Sequence, residues 1–205
     1  MKWKTGLLAV FLSCPLFFWG SAARGEKPRF PLISIAPEVG WQFFGKSKLE
    51  DNFDSTVGVR NAVVVKAHAD IGGDKWALEL APLYAWQLSD GLTGNMSAFG
   101  GEVTLAYRRS TGAWYPGVGI GFHGTYLFPS DTVERGTELG ARIPIGFTWY
   151  FFRYLGLVAE GGFMIGAVGI RFKDKPMDPL LHALSGKTEY ALSIGCDLLV
   201  GLRFP

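Results

Sequence analysis

The sequence has few cysteines, few charged residues and no apolar run long enough for an internal transmembrane helix. Two cysteines in 205 residues cannot form a disulfide scaffold. Charged residues make up only 19% of the chain, and 20 basic side chains nearly balance 18 acidic ones, so no nucleic-acid-binding surface is predicted. The most apolar internal segment, Leu155–Ile170, contains Glu160 and several glycines. A spanning helix needs about 20 apolar residues, so this segment does not qualify.

Apolar residues, aromatic residues and glycine are abundant instead. The chain is 48% hydrophobic and 15% aromatic, and it contains 28 glycines. This apolar content excludes a disordered chain, and the length predicts one domain. A composition that is rich in glycine and aromatic residues but poor in charge is unusual for a soluble enzyme. It favours a membrane β-barrel.

The first 23 residues have the three parts of a secretory signal peptide. Lys2 and Lys4 form a short basic start, residues 6–19 are mostly apolar, and residues 21–23 are small. Cleavage is therefore predicted near Ala23. Residues 24–33 would then form a periplasmic N-terminal tail, and residues 34–205 an outer-membrane β-barrel domain.

Two other interpretations of this leader remain open. A retained membrane helix is disfavoured by Pro15 and by the short apolar length. A lipoprotein signal is the second, because Leu12-Ser13-Cys14 loosely resembles a lipobox, although Phe11 replaces the usual leucine. If the leader is removed, Cys196 is the one remaining cysteine and is expected to act as a small apolar side chain.

Eight later segments alternate between bulky apolar residues and small or polar ones, which is the period of a β-strand with two different faces. In the clearest segment, Trp76, Leu78 and Leu80 share one face, while Ala77 and Glu79 share the other. Each segment is long enough to cross a membrane at a tilt, which takes about 9–11 residues. The sequence therefore predicts an all-β fold, an eight-stranded antiparallel up-and-down transmembrane β-barrel. The segments are residues 34–43, 57–71, 76–88, 99–108, 114–128, 138–149, 155–172 and 190–204.

The connections between these segments alternate in length. Short connections fall at residues 72–74, 110–112 and 152–153, and longer polar ones at residues 45–56, 89–97, 129–136 and 173–187. Bacterial barrels have short periplasmic turns and longer outer loops. Both termini are therefore predicted in the periplasm, with four loops outside the cell.

The composition of the two strand faces predicts which one points into the barrel. The polar face consists mainly of glycine and alanine with isolated charged residues, as expected for a narrow, filled lumen. The bulky face carries aromatic residues near both strand ends, as in the interfacial girdles of membrane barrels. The turn-side aromatics are Trp76, Tyr107, Trp114 and Trp149, and the loop-side aromatics are Trp41, Trp86, Tyr126 and Phe128. A soluble lipocalin-like barrel would have the opposite arrangement.

Charged residues on the lumen face are expected to pair with one another, because an unpaired charge in a low-dielectric barrel is costly. Arg142 is predicted at the centre of this network, with Glu102 and Glu160 as its partners. The predicted network residues are Glu38, Arg60, Glu79, Glu102, Arg108, Arg142, Glu160 and Asp197. The other inward-facing charged residues are Lys66, Asp70, Glu138 and Arg203. The network either fills a structural core or forms a gated polar path.

With this pattern, the chain resembles the small eight-stranded outer-membrane proteins, the OmpA transmembrane domain and OmpX-like group, over essentially its whole mature length. The resemblance implies a monomer in contact with outer-membrane lipid and lipopolysaccharide. It also implies recognition by the barrel-assembly machinery through the C-terminal strand, where the aromatic residue is usually last and here Pro205 follows it. The residues of that signal are Tyr190, Leu198, Val200, Leu202 and Phe204.

Four prolines lie inside the predicted strands, although a closed barrel has no free edge to accommodate them. Pro37 and Pro116 are expected near strand ends. Pro82 and Pro144 are expected to require bulges or missing ladder hydrogen bonds.

An enzymatic alternative rests on His123, Thr125 and Glu138, because a histidine can activate a hydroxyl and a carboxylate can orient it. The arrangement is similar to that of PagL-type lipid A deacylases, which use a His-x-Ser pair and a downstream glutamate. Here threonine replaces serine, and the strand period directs all three side chains into the lumen, away from lipid. The sequence therefore favours a protein without enzymatic activity, and neither a metal nor a cofactor is predicted.

Binding through the outer loops is a further alternative. The apolar residues 176–184 are expected to form a small helix that caps the barrel mouth or contacts a partner. Glu50, Asp51 and Asp54 lie in the first loop, but their spacing defines no cation site.

Overall fold

The computed structural model describes residues 33–44, 47–48, 56–57, 60–73, 75–89, 95–111, 113–174, 182, 185–186 and 188–204. The predicted signal peptide, the tail up to residue 32, the three acids of the first loop and Pro205 lie outside this part of the chain. Among the described residues, no helix is long and apolar enough to cross a membrane. The strands are β1 (Ile33–Phe44), β2 (Ser47–Lys48), β3 (Thr56–Val57), β4 (Arg60–Gly72), β5 (Trp76–Ser89), β6 (Met96–Arg108), β7 (Trp114–Leu127), β8 (Val133–Phe152), β9 (Leu155–Phe172) and β10 (Thr188–Arg203).

Eight of these strands form a closed antiparallel barrel in the order β1-β10-β9-β8-β7-β6-β5-β4. The ring closes because β1 pairs with β4 on one side and with β10 on the other. Each remaining neighbour in the ring is also next in the sequence. The predicted eight-stranded up-and-down barrel is confirmed.

Several strand boundaries at the loop end differ from the prediction, and β6 and β10 begin at Met96 and Thr188 and not at residues 99 and 190. The first predicted loop contains a short hairpin in which β2 pairs with β3, so the second barrel strand begins at Arg60 and not at Val57. Strand β8 begins at Val133, which pairs with Phe172, so the predicted loop 129–136 shrinks to residues 128–132. A register shift between Val133 and Arg135 breaks the alternation there, and this break concealed the start of the strand.

The alternation of faces is as predicted along the strands. Bulky apolar side chains are exposed on the outside, and glycine, alanine and charged residues face the lumen. Turn-side aromatics form cross-strand pairs, with ring centroids 5.0 Å apart for Trp76–Tyr107 and 5.4 Å apart for Trp114–Trp149. At the loop side, Tyr126 packs against Phe128 on the same face. A closed ring with an apolar exterior and aromatic ends has the surface of a transmembrane β-barrel.

The lumen is more apolar at its loop end than the sequence analysis suggested. A buried cluster, most of it at that end, is contributed by the seven strands β4 to β10, whereas the ion pairs of the lumen lie nearer the middle and the turn end. At the turn end, Tyr115 packs edge-on against Tyr150 at 5.6 Å. The cluster consists of Ala62, Val64, Ala85, Met96, Ala98, Leu127, Val133, Val168, Ile170, Phe172, Ala191 and Leu199.

The prolines interrupt the ladder without shifting its register. The β4–β5 pairing skips the position of Pro82, and the β7–β8 pairing skips that of Pro144, while the register on either side is unchanged. Both prolines still pair normally with the strand on their other side. Pro37 lies immediately before the β1–β10 pairing, which begins at Glu38 and is continuous from there. As expected, ladder pairs are missing at Pro82 and Pro144. No bulge occurs at either position.

Candidate functional site

Arg142, on β8, makes the densest set of ionic contacts in the lumen. Its side chain is 1% exposed and forms a bidentate pair with Asp197, in which Nε and Nη2 each donate to a carboxylate oxygen at 2.8 Å. Nη1 donates to Glu102 Oε1 at 3.0 Å, and Nη2 lies 2.7 Å from Glu160 Oε1. The guanidinium therefore connects β8 with β6, β9 and β10. Gly162 makes room for it, because a Cβ there would lie 2.5 Å from Arg142 Nε.

Glu102 extends this cluster toward β4. Lys66 Nζ donates to Glu102 Oε2 at 2.7 Å, and Thr104 Oγ1 donates to Glu102 Oε1 at 2.9 Å. Each carboxylate oxygen of Glu102 therefore has at least one donor. All three side chains are buried.

A second ionic cluster lies closer to the turn end and centres on Asp70. Arg108 Nη2 donates to Asp70 Oδ2 at 3.0 Å and also pairs with Glu79. Arg203 pairs with the same Asp70 oxygen, to which Ser34 Oγ donates at 2.9 Å. This cluster connects β1, β4, β5, β6 and β10.

His68 lies between the two clusters and faces two carboxylates. Its Nε2 is 3.4 Å from Glu38 Oε2, and its Nδ1 is 3.7 Å from Glu79 Oε2. Neither ring nitrogen and neither oxygen of Glu38 has a hydrogen-bond partner among the described residues, although all are buried. Such groups are normally hydrogen-bonded, so this position is unusual within the lumen.

The structure places seven of the eight predicted network residues on the lumen side and connects them in these clusters. The side chain of the eighth, Arg60, lies outside the described part. Asp197 joins Glu102 and Glu160 as a partner of Arg142, and a function for the network stays a prediction. The sequence did not predict the partners of six further lumen residues, which are Ser34, Lys66, His68, Asp70, Thr104 and Arg203. The strand period already placed these side chains inward, but only the order of the strands around the ring determines which of them meet.

His123, Thr125 and Glu138 also face the lumen, beside a cavity of about 10 Å³. Ser193 Oγ donates to Glu138 at 2.7 Å, so the carboxylate is held by a residue outside the candidate triad. His123 Nδ1 and Thr125 Oγ1 have no hydrogen-bond partner among the described residues. All three side chains are separated from the lipid-facing surface by the barrel wall.

The C-terminal strand presents its apolar side chains outward. Its five predicted signal residues, from Tyr190 to Phe204, are all exposed, and Phe204 forms a backbone bridge with Ile35 of β1. Recognition of this strand by the barrel-assembly machinery stays a prediction. Of the apolar segment 176–184, only His182 is described, and its Nδ1 lies 2.8 Å from Asp174. The predicted capping helix otherwise lies outside the described residues.

Comparison with solved structures identifies the same fold in outer-membrane proteins. The outer membrane protein OprG from Pseudomonas aeruginosa superposes with a TM-score of 0.56 at 15% identity, over 83% of this chain and 94% of that one. Neisserial surface protein A (NspA) gives a TM-score of 0.54 at 12% identity, over 85% and 97% of the two chains. The fold is therefore that of small outer-membrane β-barrels. No protein-family model and no curated protein matches the sequence.

Proposed function

We propose that this chain is a monomeric, non-enzymatic β-barrel of the bacterial outer membrane that serves the envelope structurally or binds a partner through its outer loops. The observation that carries this proposal is the filled lumen. Arg142 connects four strands across the interior, and the apolar cluster fills the loop end above it. An eight-stranded barrel encloses space for side chains and little more.

Two cavities beside the lumen, both lined by described residues, are small. The cavity beside His123 measures about 10 Å³, and a second one near Arg108 measures about 30 Å³. A single water needs about 10–15 Å³, so the first holds about one molecule and the second two or three. Ions would have to break several buried ion pairs and enter the apolar cluster to pass.

The orientation follows from the lengths of the connections. Strands β4 and β5, and β8 and β9, are joined by short turns, whereas the segments after β1 and β9 are long. By the bacterial rule the long segments face outside and both termini face the periplasm. The exposed apolar band then contacts lipid, and its outer rim contacts lipopolysaccharide. The fold shared with OprG and NspA supports this location.

The test is single-channel recording in planar bilayers. We expect a silent membrane for the wild-type barrel, with folding established by a gel shift on heating. Discrete steps in the wild type that change in Arg142→Ala would instead support a narrow channel gated by the charge network. Arg171→Ala is the matched control, because Arg171 pairs with Glu134 at the barrel surface and not in the lumen.

The enzymatic alternative is tested separately. We expect no release of acyl chains when the folded barrel is incubated with lipid A, because His123, Thr125 and Glu138 face the lumen. Deacylation by the wild type that is lost in His123→Ala would contradict this part of the proposal.

A further inference from the structure

Three side chains of the kinds that bind metal ions meet in the middle of the lumen. They are Glu38 on β1, His68 on β4 and Glu160 on β9, and one ligand atom from each lies within 4.8 Å of the others. Glu38 and His68 are almost completely buried. A nitrogen ligand with carboxylate oxygens suits a divalent transition metal such as zinc.

Glu38 and His68 lack the hydrogen bonds that buried polar groups normally make. Neither oxygen of Glu38 and neither ring nitrogen of His68 has a hydrogen-bond partner among the described residues. Lys66 lies opposite Glu38 in the β1–β4 register, but its ammonium group donates to Glu102. The Glu38 carboxylate is therefore buried and faces His68 without a Lys or Arg partner in the ion pairs described above.

The charges around this position also favour a cation. Among the described side chains of the lumen, acidic residues outnumber lysine and arginine. The acids are Glu38, Asp70, Glu79, Glu102, Glu138, Glu160 and Asp197, and the bases are Lys66, Arg108, Arg142 and Arg203. Uncompensated carboxylates in a low-dielectric interior are costly, and a divalent cation would compensate two of them.

The separation of the facing atoms leaves room for a metal ion. His68 Nε2 is 3.4 Å from Glu38 Oε2, whereas a hydrogen bond between an imidazolium and a carboxylate spans about 2.7–2.9 Å. Two ligands on a tetrahedral zinc ion with bonds of about 2.0–2.1 Å lie about 3.4 Å apart. The gap between His68 and Glu38 matches this spacing, and a small movement of the Glu160 side chain would complete the set, because the three ligand atoms lie within 4.8 Å of one another.

Groups around the three side chains are placed to orient metal ligands. His68 Nδ1 faces Glu79 Oε2 at 3.7 Å, on the side of the ring opposite Glu38. Metal-bound histidines usually direct their other ring nitrogen toward a carboxylate, and Glu79 lies on that side of His68, beyond hydrogen-bond distance. Arg142 Nη2 lies 2.7 Å from Glu160 Oε1 and holds that side chain at the cluster.

We propose that the lumen binds one divalent transition-metal ion, with zinc as the best fit. His68 Nε2 and one carboxylate oxygen each of Glu38 and Glu160 are the protein ligands, and water completes a tetrahedral shell. The ion would connect β1, β4 and β9 in the middle of the barrel. This site is independent of whether the lumen conducts.

The experiment measures metal bound to the full chain folded in detergent. The protein is refolded with zinc, because the site is buried, and is then desalted and analysed for metal by mass spectrometry. Refolding with cobalt(II) adds a second readout, since tetrahedral coordination produces strong visible absorption bands. We expect about one ion per folded barrel.

Two variants remove ligands, and two matched controls leave the site intact. His68→Ala and Glu38→Gln are each expected to weaken metal binding at least tenfold and to remove the cobalt bands. His123→Ala removes another buried lumen histidine, and His182→Ala removes an exposed one beside Asp174, so both are expected to bind as the wild type does. Glu38→Gln preserves size, so it decides the question if His68→Ala fails to show the heat-dependent gel shift.

Three results would overturn the proposal. The first is folded wild-type protein without bound zinc or cobalt, which would mean that a proton alone occupies the gap. The second is metal binding that survives in folded Glu38→Gln. The third is binding that disappears in His182→Ala, which would place the metal at the surface.

Discussion

At the scale of single residues, the packing of the lumen depends on buried charged side chains, most of which are compensated by ion-pair partners of opposite charge. Removing one partner of a buried ion pair leaves the other charge uncompensated, which is more costly than the loss of an exposed pair. Arg142 has three carboxylate partners, so its removal is expected to cost the most stability relative to the loss of an exposed pair.

We expect Arg142→Met to lower the free energy of unfolding by about 3–5 kcal/mol, because Glu102, Glu160 and Asp197 lose their shared cation. Arg171→Met removes the exposed pair with Glu134 and is expected to cost no more than about 1 kcal/mol. Urea titration in lipid bilayers, followed by gel mobility, measures both. Equal losses would show that the buried cluster contributes nothing beyond a surface pair.

Adjacent glycines on β6 provide a second contrast between residues. A Cβ on Gly100 would collide with the backbone carbonyl of Gly124, whereas the nearest atom to a Cβ on Gly101 is the Ala81 oxygen at 3.6 Å. We expect Gly100→Ala to destabilise the barrel by about 1–3 kcal/mol, as overpacking does. Gly101→Ala should change the stability by less than about 0.5 kcal/mol. The same urea titration measures both, and a loss in Gly101→Ala equal to that in Gly100→Ala would contradict the steric argument.

At the scale of strands, the backbone pairing is continuous between some neighbouring strands of the barrel and interrupted between others. The β9–β10 pairing runs without a break from Thr188 to Arg203, whereas the β7–β8 pairing omits the positions around Pro144. A proline cannot donate to the ladder, and a closed barrel offers no edge at which this loss is harmless. Local opening should therefore be easier along β7–β8 than along β9–β10.

We expect the backbone amides of β7 and β8 around Pro144 to exchange hydrogen faster than those in the middle of β9 and β10, because fewer hydrogen bonds hold them. Hydrogen exchange followed by nuclear magnetic resonance in micelles measures this difference. Pro144→Ala supplies the missing donor and should slow exchange at the same positions. Uniform protection around the whole ring would show that the missing pairs have no local effect.

At the scale of the whole molecule, the barrel is inverted relative to a soluble protein. Most of its large apolar side chains are exposed on the outside, and a network of buried charges lies in the lumen. The exposed face is stable only where lipid or detergent covers it, and aromatic side chains at both ends mark the interfaces with water.

The bilayer position is tested by the tryptophans of the barrel, which lie near the strand ends. We expect their fluorescence to be quenched more by lipids brominated near the carbonyl end of the acyl chain than by lipids brominated near the terminal methyl. Trp114 and Trp149, which stack at the turn end, provide the comparison with Trp86 at the loop end. Equal quenching by both lipids would contradict the two-girdle arrangement.

The strand period in the sequence was sufficient to predict the number of strands, the direction of each face and the inward position of Glu102, Arg142 and Asp197. A period of two assigns each side chain to one face without knowledge of distant residues. Predictions were less accurate at strand ends, because the pairing that starts β8 at Val133 and the hairpin β2–β3 depends on partners far along the chain or across a turn.

Which lumen residues meet was decided only by the closed ring. The pairing of β1 with β4 brings Glu38 beside His68, and the next two strands of the ring bring Glu160 to the same point. The apolar cluster at the loop end arises in the same way, from one to three residues contributed by each of seven strands. Alternation along a strand is a local property, whereas contacts across a barrel depend on ring order and register, and these are set by all eight strands together.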